Sequence, residues 1–274
     1  MKRGVIPSVA RNLQFTCRSF GAVRLRMTAY VAAALVTAAA CGTKEAAGPL
    51  EAGPKGRVRF VNLINDPARN PVNVILDNVP FGVGMAYTGS TPASLAAPST
   101  APYAAVVAGN NTLVVKRTAD TTVTLATINF AINQGEDKSV YATGGLAGAA
   151  VTNTITTDDN TAPAATDVRF RIANFSPTAG AVDVFITAAG ADLSTATPDV
   201  TGLAPGNASS YVTKPAGSYT VRFVPVGTAP AARNANVRIT LATATYAGGS
   251  ARTVVAADRQ QGGAPLTAFA LADR

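Results

Sequence analysis

The chain has 274 residues, no His and two Cys, with 47% hydrophobic residues and only 6% aromatic, none of them Trp. Lacking His, it can build no Ser-His-Asp triad, no Cys-His pair and no His-ligated zinc site. Six of its 23 basic residues precede Cys41, where there is no acid; beyond that point 17 basic face 15 acidic residues, too even a balance for nucleic-acid binding.

The first forty residues read as a leader. The first 22, which hold Pro7, Cys17 and scattered Arg, lack hydrophobic periodicity, and a start at Met27 or at Val23 suits the following segment better. Arg24 and Arg26 then precede TAYVAAALVTAAA, residues 28–40, an apolar run shorter than the roughly 20 residues a spanning helix needs. Ala38, Ala39 and Ala40 before Cys41 resemble a bacterial lipobox, with Ala38 in place of the usual Leu. In that reading Cys41 is cleaved before and acylated, and several lipid chains hold it stably in a membrane. The alternatives are a secretory signal cut after Ala-x-Ala that leaves a free thiol, and a retained membrane helix. In either processed form one cysteine remains and no internal disulfide can form. Residues 41–56 mix Gly, Pro, Ala and charge as a flexible tether does.

The remainder repeats itself. VRFVNLINDPARNPVNVIL, residues 58–76, aligns at an offset of 110 with VRFRIANFSPTAGAVDVFI, residues 168–186. This pairs Val58 with Val168, Arg59 with Arg169, Phe60 with Phe170, Pro67 with Pro177, Val72 with Val182 and Val74 with Val184. At an offset of 108, Tyr103, Ala108, Gly109 and Thr112 match Tyr211, Ala216, Gly217 and Thr220; GEDKSVYA from Gly135 matches GSARTVVA from Gly249 more weakly. The constant order predicts two copies of one domain, residues 57–160 and 161–274. They meet in the polar, Pro-containing DDNTAPAAT, which implies independent folding and a small contact surface.

Each copy carries about seven short alternating segments separated by turn residues, the pattern of an antiparallel β-sandwich. Val72, Val74 and Leu76 alternate with polar neighbours before an Asp77-Asn78 hairpin turn. Pro215-Ala216-Gly217 is a turn before a strand in which Tyr219, Val221 and Phe223 face inward while Thr220 and Arg222 face water. Two insertions, residues 89–102 and 228–235, read as surface loops.

Neither acidic pair reads as catalytic: Glu136-Asp137 and Asp158-Asp159 fit solvated turns better than glycoside chemistry, and Asp158, Asp159 and Asp167 make only a weak case for Ca²⁺. GGLAG, residues 144–148, leads into a strand rather than a helix and is a hairpin turn, not a phosphate loop. Tyr103 and Tyr211, at matching positions, suit packing with a locally satisfied hydroxyl. No cofactor or metal site is expected.

At VRF, SP, AVDVFI and YVTKPAGSYTVRF in the second copy, the sequence resembles the bacterial family called domain of unknown function 4397. The resemblance covers 168–274 well and 58–159 more weakly, and the first copy has Asn111 where the second has Tyr219. It implies tandem immunoglobulin-like sandwiches in a secreted or surface-anchored protein and supplies no catalytic residues. The expectation is a non-enzymatic cell-envelope lipoprotein, bound to membrane lipid through Cys41 and placed in the outer membrane if the cell has two. Its partner would be an envelope protein or glycan, or it serves as a spacer; the alternative is a carbohydrate-binding accessory module.

Overall fold

The computed structural model describes residues 53–92 and 102–274. Short Val-, Ile- and Thr-rich segments bounded by Gly, Pro, Asn and Asp make the described residues all-β, with 3₁₀ turns and no α-helix. The first half holds β1 (Lys55–Ile64), β2 (Val72–Leu76), β3 (Val79–Met85), β4 (Ser90–Thr91), β5 (Ala104–Val107), β6 (Gly109–Arg117), β7 (Asp120–Ile132), β8 (Asp137–Gly144) and β9 (Val151–Asp158). The second holds β10 (Asp167–Phe175), β11 (Val182–Thr187), β12 (Val200–Leu203), β13 (Asn207–Ala208), β14 (Val212–Pro215), β15 (Gly217–Pro225), β16 (Ile239–Tyr246), β17 (Ala251–Ala257) and β18 (Thr267–Ala272).

The halves share one topology. In the first, β4-β1-β8-β9, with β5 also on β1, forms one sheet and β3-β2-β6-β7 the other; the second repeats this as β13-β10-β17-β18, with β14 on β10, and β12-β11-β15-β16. All pairings are antiparallel except β1 with β8 and β10 with β17. Two expected turns are present: Asp77 and Asn78 take positive φ between β2 and β3, and GGLAG closes the β8–β9 hairpin. At Ala216 the chain instead passes from one sheet to the other, since β14 pairs with β10 and β15 with β11.

Register corrects the sequence alignment. Arg57 lies opposite Asp137 and Arg169 opposite Ala251, while Asn62 and Asn174 each accept from the amide two residues on. Arg57, Arg59 and Asn62 are therefore the counterparts of Arg169, Arg171 and Asn174, an offset of 112. Across β2 and β11 the offset is 110, because the stretch from Asn62 to Val72 is two residues longer than that from Asn174 to Val182. The ungapped alignment thus carries three false identities, at Val58, Arg59 and Phe60.

Each half packs its two sheets around its own core. Val58 and Phe60 meet Val74, Leu113, Val115 and Ile128 in the first; Phe170 and Ile172 meet Val184, Val221 and Phe223 in the second. A third core lies between the halves, where Val61, Leu63 and Tyr141 meet Ala173, Phe175, Val255 and Leu271. The Tyr141 and Phe175 rings sit 4.6 Å apart. The small contact predicted from the linker is thus replaced by a shared apolar layer, and all described residues belong to one compact unit. The signal was present in VRFVNLI: alternate positions are apolar on both faces, as in a strand covered on both sides.

The outer face of the second half's β11–β15 sheet is also covered. Phe185, Leu193 and Val224 form a small fourth core. Arg222 does not face water: its Nη2 donates to Thr187 Oγ1 at 2.9 Å and to the Ala191 carbonyl at 2.6 Å. Residues 228–235 lie on this face, with Arg233 donating to the Ala196 carbonyl and Asn234 accepting from the Leu193 amide. Among the described residues no helix is long and apolar enough to cross a membrane.

Candidate functional site

The densest polar constellation lies beside the third core. β1 and β8 run parallel in register, so Arg59 lies opposite Ser139 and its guanidinium bonds along the sheet surface, Nε and Nη2 donating to Ser139 Oγ at 3.0 and 2.8 Å. Ser139 and Tyr103 both donate to Asp158, the latter at 2.7 Å. The second half repeats the set: Arg171 Nε donates to Thr253 at 3.1 Å, Thr253 to Asp273 at 2.7 Å, and Tyr211 to Asp273 at 3.0 Å.

The closing bonds cross between halves. Arg59 Nη2 lies 2.8 Å from Asp273 and Arg171 Nη1 lies 2.5 Å from Asp158. Each guanidinium also donates to a carbonyl of the opposite half, Arg59 to Ala272 and Arg171 to Thr157. The two sets are thus related by a pseudo-two-fold, and each arginine lies over the tyrosine of its own half, at 4.6 Å for Tyr103 and 5.2 Å for Tyr211.

The two arginines and two aspartates are 2–5% exposed, and Tyr211 alone of the set is half-buried. Burial works against the charge of Arg59 and Arg171, but the surrounding phenols and carboxylates outweigh it and raise both above the ordinary arginine value. Burial is also the main cause that raises Tyr103 and Tyr211 well above a free phenol. Clustered perturbed groups mark catalytic centres and structural ion networks alike. Here each carboxylate is engaged by an arginine, a tyrosine and a hydroxyl, the arrangement of a clasp.

The symmetry is imperfect on the axis, where the first half has Tyr141 and the second Val255. Tyr141 Oη and Arg171 Nη2 are buried there without a hydrogen-bond partner among the described residues. Beside the clasp a polar cleft of ≈ 400 Å³ is lined by residues including Tyr211, Arg169, Asp159, Ser209 and Ser210. Arg169 lies 4.5 Å over the Tyr211 ring and pairs with Asp159, whose carboxyl it holds down at about 2 together with Thr161.

Several sequence expectations change here. Asp158 is the centre of one ion pair rather than a solvated turn, and Asp137 is buried against Arg57; Glu136 does cap a turn, accepting from the Asn133 amide. Asp158, Asp159 and Asp167 each have protein donors, Asp167 from Thr166, and among the described residues no three His, Cys, Asp or Glu form a metal group. Tyr103 and Tyr211 do satisfy their hydroxyls within their own halves. Tyr219 is half-buried, edge-on to Phe170, and donates to the Pro215 carbonyl. Cys41 and residues 93–101 of the first insertion lie outside the described residues. The roles of Arg59, Arg171 and Asp273 were missed in the sequence; the repeated R-x-R-x-x-N of 57–62 and 169–174 was the available signal.

Residues 56–185 match the family model described as "Domain of unknown function (DUF4397)". The match is a single copy that runs from β1 to β11, mostly in the half where the sequence resemblance was the weaker one. No curated protein matches the chain.

Proposed function

We propose that this is a non-enzymatic lipoprotein of the cell envelope, anchored through acylated Cys41 and a tether of residues 41–56. Its halves, residues 57–160 and 161–274, are read as tandem immunoglobulin-like sandwiches that present loops and sheet edges to an envelope protein or glycan, or act as a spacer. The observation that carries this reading is the clasp: charged groups that a catalytic cleft would turn toward a substrate are spent joining two repeats. The leader preceding Cys41 supports the anchor, and the parallel pairing of each half's first and penultimate strands supports the immunoglobulin-like description.

Cys41→Ser should move the protein from the membrane pellet to the soluble fraction. Wild-type protein that is already soluble, with an unblocked mature N-terminus, would sink the lipoprotein reading. The polar cleft at Tyr211 favours a second reading, an accessory carbohydrate-binding module. A glycan array and an envelope pull-down with fragment 49–274 separate the two: selective glycan binding lost in Tyr211→Ala supports the module, and a reproducible protein partner supports presentation.

A further inference from the structure

The contact between the halves is isologous in character. Each half contributes an arginine, a hydroxyl, a tyrosine and an aspartate, and the arginine of each set meets the aspartate of the other. A surface built this way is complementary to copies of itself. Its side chains do not distinguish the sister half on the same chain from the corresponding half of another.

We propose that this surface also joins two copies of the chain, which exchange halves so that β1–β9 of one molecule seats on β10–β18 of the other in a closed two-fold dimer. Every strand ladder lies within one half, so the halves separate without breaking a sheet. The connector 159–166 is polar and mostly exposed. Its eight residues can extend to about 28 Å, enough to carry one half away from its sister. An opened chain would expose Val61, Leu63 and Phe175 together with Arg59, Asp158, Arg171 and Asp273, each parted from its partner in the other half and now almost wholly covered. Water is a poor solvent for that apolar surface, so the open form closes again on its own half or on another's. The effective concentration set by the connector governs the competition, and high protein concentration shifts it toward exchange.

Charge-reversed chains test this in full-length protein released from the membrane, or in fragment 49–274. Arg59→Asp sets two carboxylates against each other, and Asp273→Arg sets two guanidinium groups against each other, so neither chain closes well on itself. When the two are mixed, an exchanged pair restores opposite charges at one contact and is wild type at the other. The expected result is a species of twice the chain mass carrying both affinity tags, enriched at least about tenfold over either variant alone, while R59D/D273R in one chain runs as the monomer. A mixture that stays monomeric overturns the proposal. If either variant fails to fold, two differently tagged wild-type chains are refolded together at high concentration: mixed-tag dimers uphold the exchange, and their absence overturns it.

Discussion

Replacing Arg59 with Met removes one of four charges from a site where all are nearly excluded from water. Asp273 would keep Thr253 and Tyr211 as donors but lose its one cation among the described residues, and Ser139 and the Ala272 carbonyl would each lose a donor. Breaking a buried ion pair from one side costs about 3–5 kcal/mol, because the remaining charge stays buried and uncompensated. With a urea slope of about 2.5 kcal/mol/M for a fragment of this size, the midpoint of 49–274 should fall by about 1.5 M. Arg171→Met should cost somewhat less, since Asp158 keeps Arg59 at 3.8 Å. The pair Arg59→Met/Asp273→Leu should recover at least half of the loss, as replacing both ions with apolar groups often does. Because the halves share a core, wild type should unfold in one transition by both fluorescence and circular dichroism. A loss below about 1 kcal/mol for Arg59→Met, or two resolved wild-type transitions, would show that the clasp does not couple the halves.

Phe223→Ala should cost about 3–5 kcal/mol in the same melts, since Phe223 is fully buried in the second core. Arg222→Ala should cost about 1–2 kcal/mol, because it releases the bonds that hold residues 187 and 191; loss below about 0.5 kcal/mol would leave that face effectively solvent-exposed. Tyr141→Phe removes an unpartnered buried hydroxyl and should be neutral or stabilising by about 1 kcal/mol; marked destabilisation would mean that the hydroxyl is bonded in solution. Tyr87 is pushed up to about 12, chiefly by burial and also by Asp258, and Tyr103 and Tyr211 are raised further. An unfolded chain releases these protons near pH 10, so it binds fewer protons than the native state above that point. The urea midpoint should therefore hold through the neutral range and fall progressively above about pH 10, with tyrosinate absorbance rising only as the protein unfolds; phenols titrating normally in folded protein would contradict the burial argument.

Alternation in the sequence was enough to place Val221 and Phe223 in a core, to close Asp77-Asn78 and GGLAG into hairpins, and to give a two-fold repetition of short strands. It could not say what covers the other side of a strand. Thr220 and Arg222 alternate as a solvated face would, yet residues 188–199 and 226–237 return to that face from outside the strand. Asp158 reads as linker because Asp159, Asn160 and Thr161 follow it, while its partner Arg171 comes thirteen residues later on a different strand. Arg59 was matched with Arg169 for a local reason: two extra residues before β2 bring VRF into coincidence with VRF, and only hydrogen-bond register shows which arginine faces the opposite half.

The parallel pairing of β1 with β8 also sets an order of events during synthesis. Arg57 finds Asp137 eighty residues later, and Arg169 waits eighty-two for Ala251. Until those later strands emerge, KGRVRFVNLI has only the short β4 and β5 beside it, with its apolar positions open to neighbouring chains. Distant pairings slow folding, and an uncovered β-branched and aromatic segment is prone to join like segments. The first of these strands to be made is thus among the last to be sheltered, and a holding chaperone that shields residues 55–64 during synthesis would raise the yield of folded protein.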